Sequence, residues 1–405
     1  MNTPAYADAR LTLATLEGSS TAPVAQVDSP SARPDALFVL NNLGIGGSER
    51  KIVRLANRLK EEGVNVTLAC LNGPYTLESG IRRDVPCQRL DRTGKFSIAA
   101  LLKLRDLLKR ERPPTVLAVN LYQALYLALA TIALPYRPRT VALINTSTFR
   151  GHAVWKHIYQ WVLGCIDHTV HGSDAQRAFW FKANCAAWKH SSVIYNGVDS
   201  DYFEVTHAFE AAKRLRASLG VKPESLLIGT VGMCRPEKNQ EVLLTALRRL
   251  HGSGVDAHLV IAGDGPLRAH LEKRAAELSI TDRVHFLGQI EDVRPVLGAL
   301  DIFLLPSVAV ESFSNAALEA MAMGRPVILS DIGGAREMIQ DGVEGYVVAP
   351  TELAARLPAL IAALSSDKRK RHLMGMAARN RAVSCFSVAA MVAGYRGLLH
   401  GGDVE

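Results

Sequence analysis

A chain of 405 residues exceeds the size at which a single hydrophobic core usually keeps growing, so two domains are expected. Hydrophobic residues are 48% and charged residues 21%, the balance of a soluble globular enzyme, and no segment reaches the roughly 18 to 20 uninterrupted apolar residues of a membrane span; the nearest, residues 124–134, reads as a buried helix. The net charge of +8 comes without any recognised nucleic-acid-binding motif, so nucleic acid is a poor reading of the partner and none is expected.

Residues 1–34 are rich in Ala, Ser, Thr, Pro and Asp and lack the basic start and continuous apolar core of a secretion signal, so they read as a disordered or loosely packed leader. A first strand is expected over residues 36–40, followed by a glycine-containing loop over 41–48. The helix after it carries Ile52, Val53, Leu55, Ala56 and Leu59 at helical spacing, Gly63 ends it, and residues 64–71 supply the next strand. Gly46 and Gly47 open that helix, either as an ordinary tight turn or as a place where backbone N–H groups meet a ligand.

Residues 96–112 predict an amphipathic helix in which Leu101, Leu102, Leu104, Leu107 and Leu108 are interleaved with cations. The simpler reading is a core-facing leucine stripe with a solvated basic face; the alternative is a helix lying on anionic lipid, with Trp155, Tyr159 and Trp161 as further anchors. His157, His168 and His171 read as structural or exposed. The six cysteines, Cys70, Cys87, Cys165, Cys185, Cys234 and Cys385, have no metal or redox spacing, which suits a reducing cytoplasm. At Asn196, Gly197, Val198 and Asp199 the chain is expected to cross to a second domain, with Gly197 in a turn that a side chain would obstruct and a linker near 199–210.

In the second domain a short apolar strand over 226–231 runs through Gly232 into a loop carrying Arg235 and Lys238, and a helix starts at about Gln240. Two cations at a strand end suit a phosphate. The next strand leads to Gly263, Asp264, Gly265 and Pro266, where glycines let backbone approach a ligand closely, and then to another helix. Residues 305–324, LPSVAVESFSNAALEAMAMG, form a third strand–loop–helix unit in which Ser314 or Asn315 caps the helix. Glu311 and Glu319 stand about 10 Å apart along its path, two carboxylates suited to accepting hydrogen bonds from vicinal hydroxyls of a sugar or ribose. Gly333, Gly334 and Glu337 open one further helix, and a last helix is expected near 387–399.

Together the segments LNNLGIGGSERKIVRLANRLKEEGVNVTLACL, SSVIYNGVDSDYF, GMCRPEKNQEVLLTAL, VIAGDGPLR, VHFLGQIEDV and PSVAVESFSNAALEAMAMGRPVILSDIGGAREMIQDGVEGYVV resemble the family 4 retaining glycosyltransferases. The resemblance implies an α/β fold with two Rossmann-like domains facing a cleft, the GT-B architecture. Residues 35–199 would be the acceptor domain, residues 200–384 the nucleotide-sugar donor domain, and a C-terminal helix within 385–405 would pack back on the first domain.

The resemblance also implies roles. Arg235 and Lys238 would hold and neutralise the donor diphosphate, with Glu311 on the donor sugar hydroxyls and Glu319 on the ribose. Ser312, Phe313, Ser314 and Asn315 would supply backbone N–H groups beside them. Gly46, Gly47, Gly263 and Gly265 would approach the donor closely, and Ile290 lies in the segment where the base is read through backbone. The histidine that many members carry after a first-domain strand is missing, leaving Ser147 or His152 in its place. The implied reaction moves a hexose-type sugar from a nucleotide diphosphate, UDP ahead of GDP, to a glycan or lipid-linked acceptor in polysaccharide or lipopolysaccharide synthesis. It needs no metal and no cofactor, and it takes place in the cytoplasm, where the basic first domain could rest on an anionic membrane surface. Rival readings are a GT-B-fold binding protein without transferase activity, or a sugar-nucleotide epimerase.

Overall fold

The structure is a computed structural model in which residues 33–147, 153–183 and 190–401 are described. The expected leader, apart from residues 33–34, together with His152 and Cys185, lies outside them. Among the described residues no helix is long and apolar enough to cross a membrane.

The first half alternates strand and helix: β1 (Ala36–Leu40), α1 (Gly47–Glu61), β2 (Val66–Cys70), β3 (Cys87–Arg89), α2 (Ile98–Glu111), β4 (Thr115–Val119), α3 (Leu121–Thr131), β5 (Arg139–Ile144), α4 (Ala153–Gly164), β6 (His168–His171), α5 (Asp174–Lys182) and β7 (Ser191–Val193). Its strands pair in parallel in the order β3-β2-β1-β4-β5-β6-β7. The second half continues with α6 (Val205–Ser218), β8 (Leu226–Val231), α7 (Glu241–Gly252), β9 (Ala257–Ala262), α8 (Arg268–Glu277), β10 (Val284–Gly288), α9 (Arg294–Ala299), β11 (Ile302–Leu305), α10 (Asn315–Ala322), β12 (Val327–Ser330), α11 (Ala335–Met338), β13 (Gly345–Val348), α12 (Leu353–Ser366), α13 (Lys368–Cys385) and α14 (Val388–Leu399). Its sheet runs β10-β9-β8-β11-β12-β13, again parallel.

Both sheets are covered on both faces, which is why their strands are continuous apolar runs. In β1, Ala36, Phe38 and Leu40 enter one core cluster while Leu37 and Val39 enter the cluster on the opposite face. In β11, Phe303 and Leu305 face one side and Ile302 and Leu304 the other. Residues 124–134 prove largely to be the buried helix α3, whose span starts earlier, at Leu121.

Three expectations change in detail. The linker placed over 199–210 is partly helical, because α6 begins at Val205. The basic helix is α2, and its leucines divide: Leu104, Leu107 and Leu108 are buried, whereas Leu102 is 53% exposed beside Phe96 and Ile98. The second strand is shorter than residues 64–71.

The chain passes between the halves twice. Val198 N–H donates to Phe386 O at 2.8 Å and Val388 N–H returns to Val198 O at 3.1 Å, so the two passages meet in a single parallel bridge between Val198 and Ser387. Gly197 is required by that closeness, since a Cβ there would lie 2.6 Å from Ser387 O and 2.7 Å from Val388 Cα. After the second passage, α14 places Val388, Met391, Val392, Tyr395, Leu398 and Leu399 in the same core cluster as β1. The last helix therefore packs on the first sheet.

Candidate functional site

In a doubly wound sheet the loops leaving two neighbouring strands on opposite sides of the order reversal open a crevice at the strands' carboxyl ends. The second sheet reverses between β8 and β11. The loops after these strands, the N-terminus of α1 and the first passage between the halves line one cavity of about 530 Å³.

Most of the residues singled out in the sequence meet there. Gly46 and Gly47 come from the first half. Arg235 and Lys238 follow β8, Gly263 and Gly265 follow β9, and Ile290 follows β10. Glu311, Ser312, Phe313, Ser314, Asn315 and Glu319 come from the loop after β11 and from α10. Ser147 is not among the lining residues, and its buried hydroxyl makes no hydrogen bond among the described residues. Asn145, at the end of β5, does line the cavity.

Local chemistry explains the placement. A single 3-10 turn, Pro236–Lys238, separates the two cations, with Lys238 N–H donating to Arg235 O at 3.0 Å. Asn239 then adopts a left-handed conformation, φ 51°, before α7 begins. The loop after β11 is tied to this turn by Val308 N–H on Glu237 O at 2.9 Å. Ser314 caps α10, its Oγ accepting from Ala317 N–H at 3.3 Å. The first turn of α10 thereby borders the cavity, an arrangement that favours an anionic ligand.

The charges are not independent. Lys238 Nζ donates to Glu311 Oε1, and Ser307, fully buried, donates its hydroxyl to the same oxygen at 3.0 Å. Arg235 is looser, 3.9 Å from Glu237 and 43% exposed. Glu319 keeps some solvent contact, yet the protein around it outweighs Arg54 and Arg50 and pushes its carboxyl up to about 7.

The first-half wall holds residues to which the sequence assigned no part in the site. Arg50, Lys51 and Arg54 on α1 all line the cavity. Lys51 is 5% exposed, its Nζ makes no hydrogen bond among the described residues, it stands 5.6 Å from the centre of the Tyr395 ring, and burial draws it down to about 7. The signal was present: Lys51 sits one turn before Leu55 on the buried stripe of α1. Two contacts bridge the walls directly. Asn315 Nδ2 donates to Gly47 O at 3.1 Å, and Asn196 Nδ2 donates to Phe313 O at 2.6 Å.

Two family models match these two halves. "Glycosyltransferase Family 4" covers residues 45–202 and "Glycosyl transferases group 1" covers residues 212–381. The chain belongs to the family 4 glycosyltransferases. Within the family it is similar to the uncharacterized glycosyltransferase MJ1607 of Methanocaldococcus jannaschii, 36% identical over 160 residues, which are 39% of this chain and 40% of that protein. The match thus spans about two-fifths of that relative's length. A longer match joins it to the lipopolysaccharide core biosynthesis glycosyltransferase LpsE of Rhizobium meliloti, 27% identical over 317 residues, 75% of this chain and 81% of LpsE. Among solved structures, Anabaena HepE in complex with UDP and glucose superimposes with a TM-score of 0.79 at 20% identity, over 91% of this chain and 100% of that one. This last likeness is one of fold and establishes the GT-B architecture.

Proposed function

We propose that this protein is a retaining hexosyltransferase that moves a sugar from a nucleotide diphosphate donor, UDP-linked in the first instance, to a glycan or lipid-linked glycan in cell-surface polysaccharide or lipopolysaccharide synthesis. The observation that carries the reading is the convergence of Arg235, Lys238, Glu311 and Glu319 on one cavity bounded by both halves. The lipopolysaccharide role of LpsE and the UDP and glucose held by HepE support the choice of acceptor and donor.

In the proposed reaction the bond from the anomeric carbon to the diphosphate oxygen breaks while a bond forms from the acceptor hydroxyl oxygen to the same carbon. The acceptor's proton passes to the leaving phosphate on the same face, which retains configuration. Negative charge grows on the diphosphate, where Arg235 and Lys238 stabilise it as preorganised cations, the part a metal ion plays in other transferases. Glu319 accepts hydrogen bonds from the ribose hydroxyls and Glu311 from the donor sugar. Gly46, Gly47, Gly263 and Gly265 bring backbone close to the donor, with Ile290 beside the base.

A lipid-linked acceptor would be met at an anionic membrane surface. Phe96, Ile98 and Leu102 are exposed next to Lys95 and Lys103, an apolar and basic edge of the first half suited to that contact.

Thermal stabilisation by a panel of UDP-, GDP-, ADP- and TDP-sugars tests the reading, since a ligand that binds only the folded state raises the melting temperature. A shift with one nucleotide sugar that is lost in Glu319→Ala, with transfer persisting in EDTA, is the expected result. No shift with any of them would overturn it.

A further inference from the structure

Glu337 does not line the cavity, yet its carboxylate joins the two halves. It extends from α11 in the second half to the N-terminus of α5 in the first. Asp174 N–H donates to its Oε2 and Ala175 N–H to its Oε1, both at 2.8 Å, and the Tyr195 hydroxyl donates to Oε2 at 3.0 Å. Ser173 Oγ takes the next N–H, that of Gln176, at 3.2 Å. The first turn of α5 is therefore satisfied by one side chain of its own half and one of the other. A carboxylate suits this place because the opening N–H groups of a helix lack partners within it and carry the positive end of its dipole.

On its other side α11 is fastened to the loop that carries Glu311. Gly334 N–H donates to Ser312 O at 2.7 Å. Gly333 has φ +54°, and a Cβ there would lie 2.3 Å from Glu311 O, so the two backbones meet with no room for a side chain. Arg381 of α13 holds the far end, Nε donating to Met338 O at 2.7 Å and a terminal nitrogen to Glu337 O at 2.9 Å. Tyr195, which shares the Glu337 carboxylate, packs on Phe313 with ring centres 4.8 Å apart.

We propose that Glu337 is a positioning residue that clamps α5 to α11 and so sets where the segment of Glu311 and Ser312 stands relative to the first half. The link runs from the α5 N–H groups through the Glu337 carboxylate, α11 and Gly334 to Ser312 and Glu311. Arg235, Lys238 and Glu319 all belong to the second half. Loss of the clamp leaves those charged donor contacts together and moves them away from the first-half wall, whose part in donor binding is the backbone approach at Gly46 and Gly47.

Two variants test this. Glu337→Gln keeps the shape but offers one acceptor oxygen where two N–H groups need one each; Tyr195→Phe removes one of the three bonds and keeps the ring. Each is compared with the native protein by small-angle X-ray scattering, by nucleotide-sugar affinity and by transfer rate. In Glu337→Gln the radius of gyration should rise, donor affinity should stay within about threefold, and kcat should fall about 10- to 100-fold, as expected when reacting groups are displaced by an ångström or so. Tyr195→Phe should lie between.

Undiminished transfer in Glu337→Gln overturns the proposal whatever the scattering shows. So does a parallel loss of donor affinity and melting temperature, which would make Glu337 part of the second half's own stability. The kinetic arm rests on the transferase reading. If the native protein binds and transfers no nucleotide sugar, that reading fails, and the scattering of the two variants alone decides the clamp.

Discussion

Lys238, in the turn after β8, and Glu311, in the turn after β11, form an ion pair across the point where the second sheet reverses its order, and Ser307 donates to the same carboxylate oxygen. A cation suited to phosphate and a carboxylate suited to sugar hydroxyls are thus one electrostatic unit. In the proposed reaction an arriving diphosphate would draw on Lys238 while Glu311 turned to the sugar, so that each group's task would depend on the other.

This coupling predicts non-additive kinetics. Lys238→Met and Glu311→Gln should each lower transfer about 10²- to 10³-fold, the scale for losing one preorganised stabilising group. The double variant should be little worse than the poorer single one, because groups acting as a unit do not add. Steady-state kcat and KM for the four proteins check this; losses that multiply would show that the pair acts independently.

Glu319 predicts a pH dependence. Its folded carboxyl is raised from 4.5 to about 7, so between those values the folded state binds the proton more tightly than the unfolded chain. Stability associated with this group is then fully present below about 4.5 and falls as pH rises toward 7. Glu319→Gln should lose that slope, read as melting temperature against pH over about pH 5 to 8. On the proposed role of Glu319 as the acceptor for the ribose hydroxyls, donor affinity should rise over the same range in the native protein alone, as the carboxylate ionises.

Lys51 predicts the opposite slope. Burial lowers its ammonium from 10.5 to about 7, so the unfolded chain holds the proton more tightly between those values. The folded state is penalised most below about 7 and gains stability as pH rises toward 10.5. Lys51→Met keeps the length of the side chain and removes the charge. It should raise the melting temperature, by more at about pH 6 than at about pH 9. An unchanged or lower melting temperature at about pH 6 would mean that the ammonium has a stabilising partner in the folded protein.

Much of the fold was legible in the sequence. Strands covered on both faces must be apolar throughout, so β1, β8 and β11 stand out as short runs bounded by loops. The period of Ile52, Leu55, Ala56 and Leu59 marks α1, and Ser314 before a run of strong helix formers marks the start of α10. The site was legible wherever chemistry is local, as with Arg235 and Lys238 one turn apart. It was not legible at Ser147, because whether a residue just past a strand faces the cavity depends on loop geometry; there Asn145 lines it instead.

By itself, the sequence determined the order of strands and helices, the glycines and caps at their ends, and which chemical groups the loops after β8 and β11 present, because each depends on a few neighbouring residues. Tertiary structure alone decided which distant groups meet. Lys238 finds Glu311, Lys51 is buried against Tyr395 of the last helix, and Glu337 caps a helix of the other half. These pairings follow from sheet order and from the apposition of two sheets, and the period of an isolated helix or strand carries no information about either.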